Sequence, residues 1–102
     1  MDYKDLRNQI NQQLGNSNSA KTFLQTNIGI DVNKAGYFKV RADERTPSTI
    51  INKGGSFHDY GSGEHYRDVV ALLFDGYHAF DSLPKTMEWV CDQLDINMGG
   101  NQ

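Results

Sequence analysis

The sequence predicts an α+β fold: a small three-stranded antiparallel sheet with an N-terminal helix or helices and two C-terminal helices. Three observations carry that expectation. Residues 37–42 alternate between two faces at period two, as a half-buried strand does. Two β-prone runs, 49–52 and 56–60, flank Lys53-Gly54-Gly55, which reads as a hairpin turn. Apolar residues recur at helical spacing near both ends of the chain.

Residues 3–14 place Tyr3, Leu6, Ile10 and Leu14 on one helical face, and Gly15 marks the stop. Residues 15–19 are polar and read as a linker, with Ser19 as the cap of a short helix carrying Phe23 and Leu24. Residues 28–32 alternate at period two and read as extended, and Lys34-Ala35-Gly36 is a turn. In the strand 37–42, Phe38, Val40 and Ala42 face one way and Tyr37, Lys39 and Arg41 the other. The hairpin 49–60 follows, closed by Gly61-Ser62-Gly63. A helix over 65–77 carries the broad apolar face of Val69, Val70, Leu72, Leu73 and Phe74. Asp81 or Ser82 caps the last helix, with Pro84 in its first turn and Met87, Val90, Cys91, Leu94 and Ile96 as its stripe.

With 102 residues, 37% of them hydrophobic, the chain is expected to form one domain with a thin core. No run approaches the ~18 apolar residues of a membrane span. No basic-then-apolar leader opens the sequence, so a cytoplasmic protein with no membrane partner is expected. One cysteine excludes an internal disulfide and every multi-cysteine zinc site.

The net charge of −3 hides an asymmetry. Residues 1–30 and 31–67 each carry one excess cation, whereas residues 68–102 set Lys85 against six carboxylates. The middle third holds most of the cations together with His58, His65, Tyr37, Phe38, Phe57, Tyr60 and Tyr66. Cations bind phosphates and aromatic rings stack on bases, so this pattern suits a nucleic-acid surface. A solvated acidic helix beside a half-exposed sheet is the plainer alternative.

No catalytic constellation emerges, and no enzyme activity or cofactor is expected. Gly61-Ser62-Gly63 reads as a turn, not a phosphate loop, because Glu64 opposes an anion there. His58 and His65 lack further ligands at metal-site spacing, and Cys91 sits on an apolar stripe as a packing thiol.

The stretch from about residue 28 to 96 resembles the zinc-binding, Cys-His-Cys-Cys ribbon domain at the N-terminus of bacterial DnaG-type primases. Lys34-Ala35-Gly36-Tyr37 matches the lead-in to that family's first strand. Asp43-Glu44-Arg45-Thr46-Pro47-Ser48 matches its acidic-basic-Thr-Pro-Ser connection. The hairpin follows, then Asp59-Tyr60-Gly61-Ser62-Gly63 in place of the knuckle, Asp68-Val69-Val70 at the next helix start, and residues 82–90 as the final helix. The resemblance divides the single domain 1–102 into a helical extension 1–27, a ribbon-like core 28–96 and a frayed tail 97–102. At the family's four ligand positions stand Lys39, Ala42, Asp59 and Ser62, so zinc binding does not carry over. A Lys39–Asp59 ion pair is the substitute offered by the sequence, contributing ~0.2–1 kcal/mol if exposed.

The resemblance implies a non-catalytic accessory module of DNA replication or priming. Such a module binds single-stranded DNA or docks on a DNA polymerase or primase catalytic subunit supplied by another chain, and would suit a phage or mobile element. The implied nucleic-acid-binding residues are Tyr37, Lys39, Arg41, Arg45, Lys53, His58 and Tyr60. Two alternatives stand beside it: a pure protein-interaction subunit, and an inhibitor whose acidic helices mimic DNA.

Overall fold

The computed structural model describes residues 2–41 and 45–96. Ala42 of the expected strand, Asp43 and Glu44 of the connection, and the tail 97–102 lie outside the described residues. The fold is α+β, with four helices and one antiparallel sheet of four strands among the described residues.

Helix α1 spans Tyr3–Leu14, opened by the Asp2 carboxylate accepting from the Lys4 amide and ended at Gly15. Leu6, Ile10 and Leu14 are buried as their spacing requires, while Tyr3 remains at the rim and donates its hydroxyl to Glu88. Helix α2 spans Ser17–Phe23 and widens into a π-turn over Leu24–Ile28. Its cap is Asn16, not Ser19: the Asn16 side chain accepts from the Ser19 amide, so Ser19 lies inside the first turn. The helix therefore consumes most of the expected linker.

Residues 28–32 form no strand. Ile28 completes the wide turn, Gly29 takes a left-handed conformation, and the Ile30 amide returns to the Leu24 carbonyl. Their alternation reflects docking instead: Val32 is buried, and Ile28 and Ile30 pack against the core.

The strands are β1 (Tyr37–Phe38), β2 (Thr49–Ile51), β3 (Phe57–Asp59) and β4 (His65–Tyr66), each paired antiparallel to the next. The fourth strand corrects the expected three. Beyond Asp59 the chain reverses through Gly63, with the Gly63 amide on the Asp59 carbonyl and the Asp59 amide on Glu64. His65 and Tyr66 then pair back along β3, so the helix expected from residue 65 cannot begin there. It begins at Val69, where the Asp68 side chain caps the Ala71 amide. Strand β1 is likewise shorter than expected, although Val40 is buried with Phe38 as the alternation requires.

The hairpin turn presses on the α1–α2 junction. Gly55 has φ +83°, and a Cβ there would stand 2.5 Å from the Leu14 carbonyl oxygen. The Lys53 carbonyl in the same turn accepts from the Ser17 amide.

Helix α3 runs from Val69 to Ala71 and widens over Leu72–Gly76. Helix α4 spans Leu83–Gln93 with Ser82, of the two candidates, as its cap. Helix α4 packs chiefly on α1 and α3. The widened end of α3 meets β4, and α2 meets β2. Phe38 and Phe57 cross edge-to-face at 5.8 Å on the inner side of the sheet, within one core shared with Leu6, Ile10, Val70, Leu72 and Val90. One carboxylate ties α1 to the start of α3: Asp68, 4% exposed, accepts from Arg7 Nε (2.8 Å) and Nη2 (3.0 Å), Asn11 Nδ2 (2.8 Å) and the Ala71 amide (2.8 Å).

Candidate nucleic-acid interface

The strand register sorts the central residues onto two faces, because directly opposed residues in antiparallel strands point the same way. Phe38, Thr49 and Asp59 form one inward row, and Ile51, Phe57 and Tyr66 another. Tyr37, Ile50, His58 and His65 form the outward row, crossing all four strands. Tyr60 follows His58 on the same side, 66% exposed, with its ring edge-to-face on His58 at 4.4 Å. The His65 ring lies 6.2 Å from that of His58. The sheet thus presents a row of rings to solvent on the face away from the core.

The cations expected on this face separate into three groups. Lys39 and Arg45 are exposed and converge with Tyr37, Pro47 and Tyr77 around a cleft of about 530 Å³ beside β1. The Tyr77 hydroxyl donates to the Lys39 carbonyl at 2.7 Å, which holds one wall of the cleft against the strand extension. Lys53 is exposed at the far hairpin turn, against the helical end of the molecule. Neither Lys39, Arg45 nor Lys53 has an ion-pair partner among the described residues.

Arg41 has a different place. Its Nη1 sits 2.7 Å from Asp59 Oδ2, and the Asp59 side chain is fully buried. The same carboxylate accepts from the Gly61 amide (2.8 Å), the Ser62 hydroxyl (3.0 Å) and the Ser48 hydroxyl (3.2 Å). Burial raises the Asp59 pKa, but the donors on Arg41, Ser62 and Gly61 and the guanidinium charge outweigh it and hold the pKa at about 2. Gly61 is fitted to this hub: a Cβ on it would lie 2.8 Å from Arg41 Nη2 and 2.9 Å from Ser48 Oγ. The partner of Asp59 is therefore Arg41 and not Lys39. The exposed Lys39 lines the neighbouring cleft instead.

Two of the four positions matched to zinc ligands, Asp59 and Ser62, do meet around this hub. The donor set does not fit zinc: one carboxylate and hydroxyls face a guanidinium that a cation would repel. No group of three or more His, Cys, Asp or Glu residues placed to hold a metal occurs among the described residues. None of the helices, among the described residues, is long and apolar enough to cross a membrane.

Ile50, His65 and Tyr77 join the surface without having been singled out as binding residues. Ile50 follows from the register of β1, β2 and β3, and His65 once β4 is recognised. Tyr77 carries no local signal, because only the packing of α3 brings it to β1. Comparisons with protein-family models, curated proteins and solved structures find no match for this chain.

Proposed function

We propose that this chain is a non-catalytic accessory module of DNA replication or priming, related to the primase ribbon domains, that binds single-stranded DNA through the outer face of its sheet. A polymerase or primase subunit in trans is the partner this role calls for. The observation that carries the reading is the outward row of Tyr37, Ile50, His58 and His65, extended by the exposed Tyr60 and flanked by Lys39 and Arg45. Rings stack on unpaired bases irrespective of sequence, and free cations track the backbone. The meeting of Asp59 and Ser62 around Arg41 supports the ribbon reading, because it joins the segments that a metal joins in that family.

Titration of a labelled oligonucleotide over a range of salt, with and without a candidate polymerase, tests this. Replacing Lys39, Arg45 and Lys53 together by Ala should weaken binding and flatten the log–log salt slope by up to about 2, at ~0.7 per phosphate contact on single strands. Unchanged affinity and slope in both conditions would remove the sheet as the DNA surface.

One observation favours a second reading, a protein-interaction subunit or DNA-mimic inhibitor of a nucleic-acid enzyme. Asp75, Asp81, Glu88, Asp92 and Asp95 are all exposed. Asp68, the sixth carboxylate of that segment, is spent on Arg7, which leaves a sparse anionic surface. Failure of the parent protein to bind DNA in either condition would make this second reading the better one.

A further inference from the structure

The cleft beside β1 has a composition that the outer row lacks, and it points to a more specific ligand than a strand passing over a sheet. We propose that it is a mononucleotide-binding subsite: it takes one nucleoside 5′-phosphate. This rests on the nucleic-acid reading above and names the unit recognised there.

The volume, about 530 Å³, lies within the ~300–1,000 Å³ usual for small-ligand sites. Tyr37, Pro47 and Tyr77 supply flat or apolar walls for a base. The Tyr77 ring is pre-positioned, because its hydroxyl is already tied to the Lys39 carbonyl. Lys39 and Arg45 line the same cleft without ion-pair partners among the described residues, so a phosphate gains two charge-assisted contacts without displacing any bridge.

The remaining polar groups of the lining can pair with a base edge. Asn33 Oδ1 is fully engaged by the amides of Ala35 and Tyr37, each at 3.0 Å, which leaves Nδ2 as a donor at the cleft wall. Asp31 is exposed beside it and accepts only. A donor next to a carboxylate acceptor matches a base edge on which an acceptor and a donor are adjacent: the ring nitrogen and amine of adenine or cytosine in one orientation, the carbonyl and ring N–H of uracil or thymine in the other. Asp31 also repels phosphate, which orients the ligand with its phosphate toward Lys39 and Arg45.

The ligand unit can come from a free nucleotide or from a residue of a strand, and the assay separates these. Isotope-labelled protein is titrated with AMP, adenosine, UMP and a short single-stranded oligonucleotide while backbone amide shifts are followed. AMP should shift Asn33, Tyr37, Lys39 and Arg45 and bind about tenfold tighter than adenosine, as expected for charge-assisted contacts. UMP should shift the same four residues. Lys39→Ala with Arg45→Ala should abolish the advantage of AMP over adenosine, while Lys85→Ala on α4 leaves it intact. Equal affinities for AMP and adenosine, or AMP shifts confined to residues outside the cleft, would overturn the subsite. If the oligonucleotide then still bound through Tyr60, the strand reading would stand without it. If AMP bound in the cleft and the oligonucleotide bound no tighter, the subsite would stand as a free-nucleotide site and the strand reading would fall.

Discussion

Replacing Asp59 by Asn should destabilise the protein strongly at neutral pH and hardly at all in acid. The carboxylate is fully buried and takes hydrogen bonds from Arg41, Ser48, Gly61 and Ser62. Its pKa falls from 3.8 to about 2 on folding. A depressed folded-state value means that ionised Asp59 stabilises the protein above about pH 4, and that this contribution disappears as pH falls toward 2. The shift corresponds to roughly 2 kcal/mol, somewhat less after solvent screening at Arg41, whose side chain is 40% exposed. An Asn amide also turns a donor toward groups that are themselves donors. The total cost at pH 7 should therefore be about 3 kcal/mol, at the lower end of the ~3–5 kcal/mol of a broken buried pair. For a domain of this size that lowers Tm by roughly 12–24 °C. Thermal melts of parent and Asp59→Asn at pH 7, 4 and 2.5 would show a gap that closes on acidification. A Tm within about 3 °C of the parent at pH 7, or a gap that does not change with pH, would refute the hub.

Asp68→Ala should cost about 3–5 kcal/mol, because Arg7, with its side chain only 16% exposed, loses the carboxylate that compensates it. Hydrogen exchange should show the α1 amides losing protection in that variant. Tyr60→Ala should leave Tm within the scatter of surface substitutions, about ±0.5 kcal/mol, because the ring is mostly in solvent. Single-stranded DNA affinity should nevertheless fall by about 1–3 kcal/mol in an anisotropy titration, the usual loss of one stacked base. Burial, and then the Glu88 charge, push the Cys91 thiol up, so it should resist a thiol reagent in the native state and react once urea unfolds the chain.

Local rules sufficed wherever a residue's role depends on its neighbours in sequence. The spacing of Leu6, Ile10 and Leu14, the Ser82 cap with Pro84 behind it, and the Gly-Gly hairpin all specify their own geometry. The alternation around Phe38 and Val40 identified inward residues correctly even though the paired part of the strand is short. Segments with weak local preference depended on long-range partners. His65 and Tyr66 become a strand because β3 is there to pair with, and residues 28–32 fail to become one because Ile28 is drawn into the wide turn that ends α2 and Gly29 turns left-handed. The proposed binding surface divides the same way. The sequence placed aromatic and basic residues in the middle third, but only the folded chain separated Arg41, drawn inward by the buried Asp59, from Lys39 and Arg45, which remain open around the cleft. Charge and ring type are properties of residues, whereas which cation is spent on structure depends on which carboxylate the fold buries beside it.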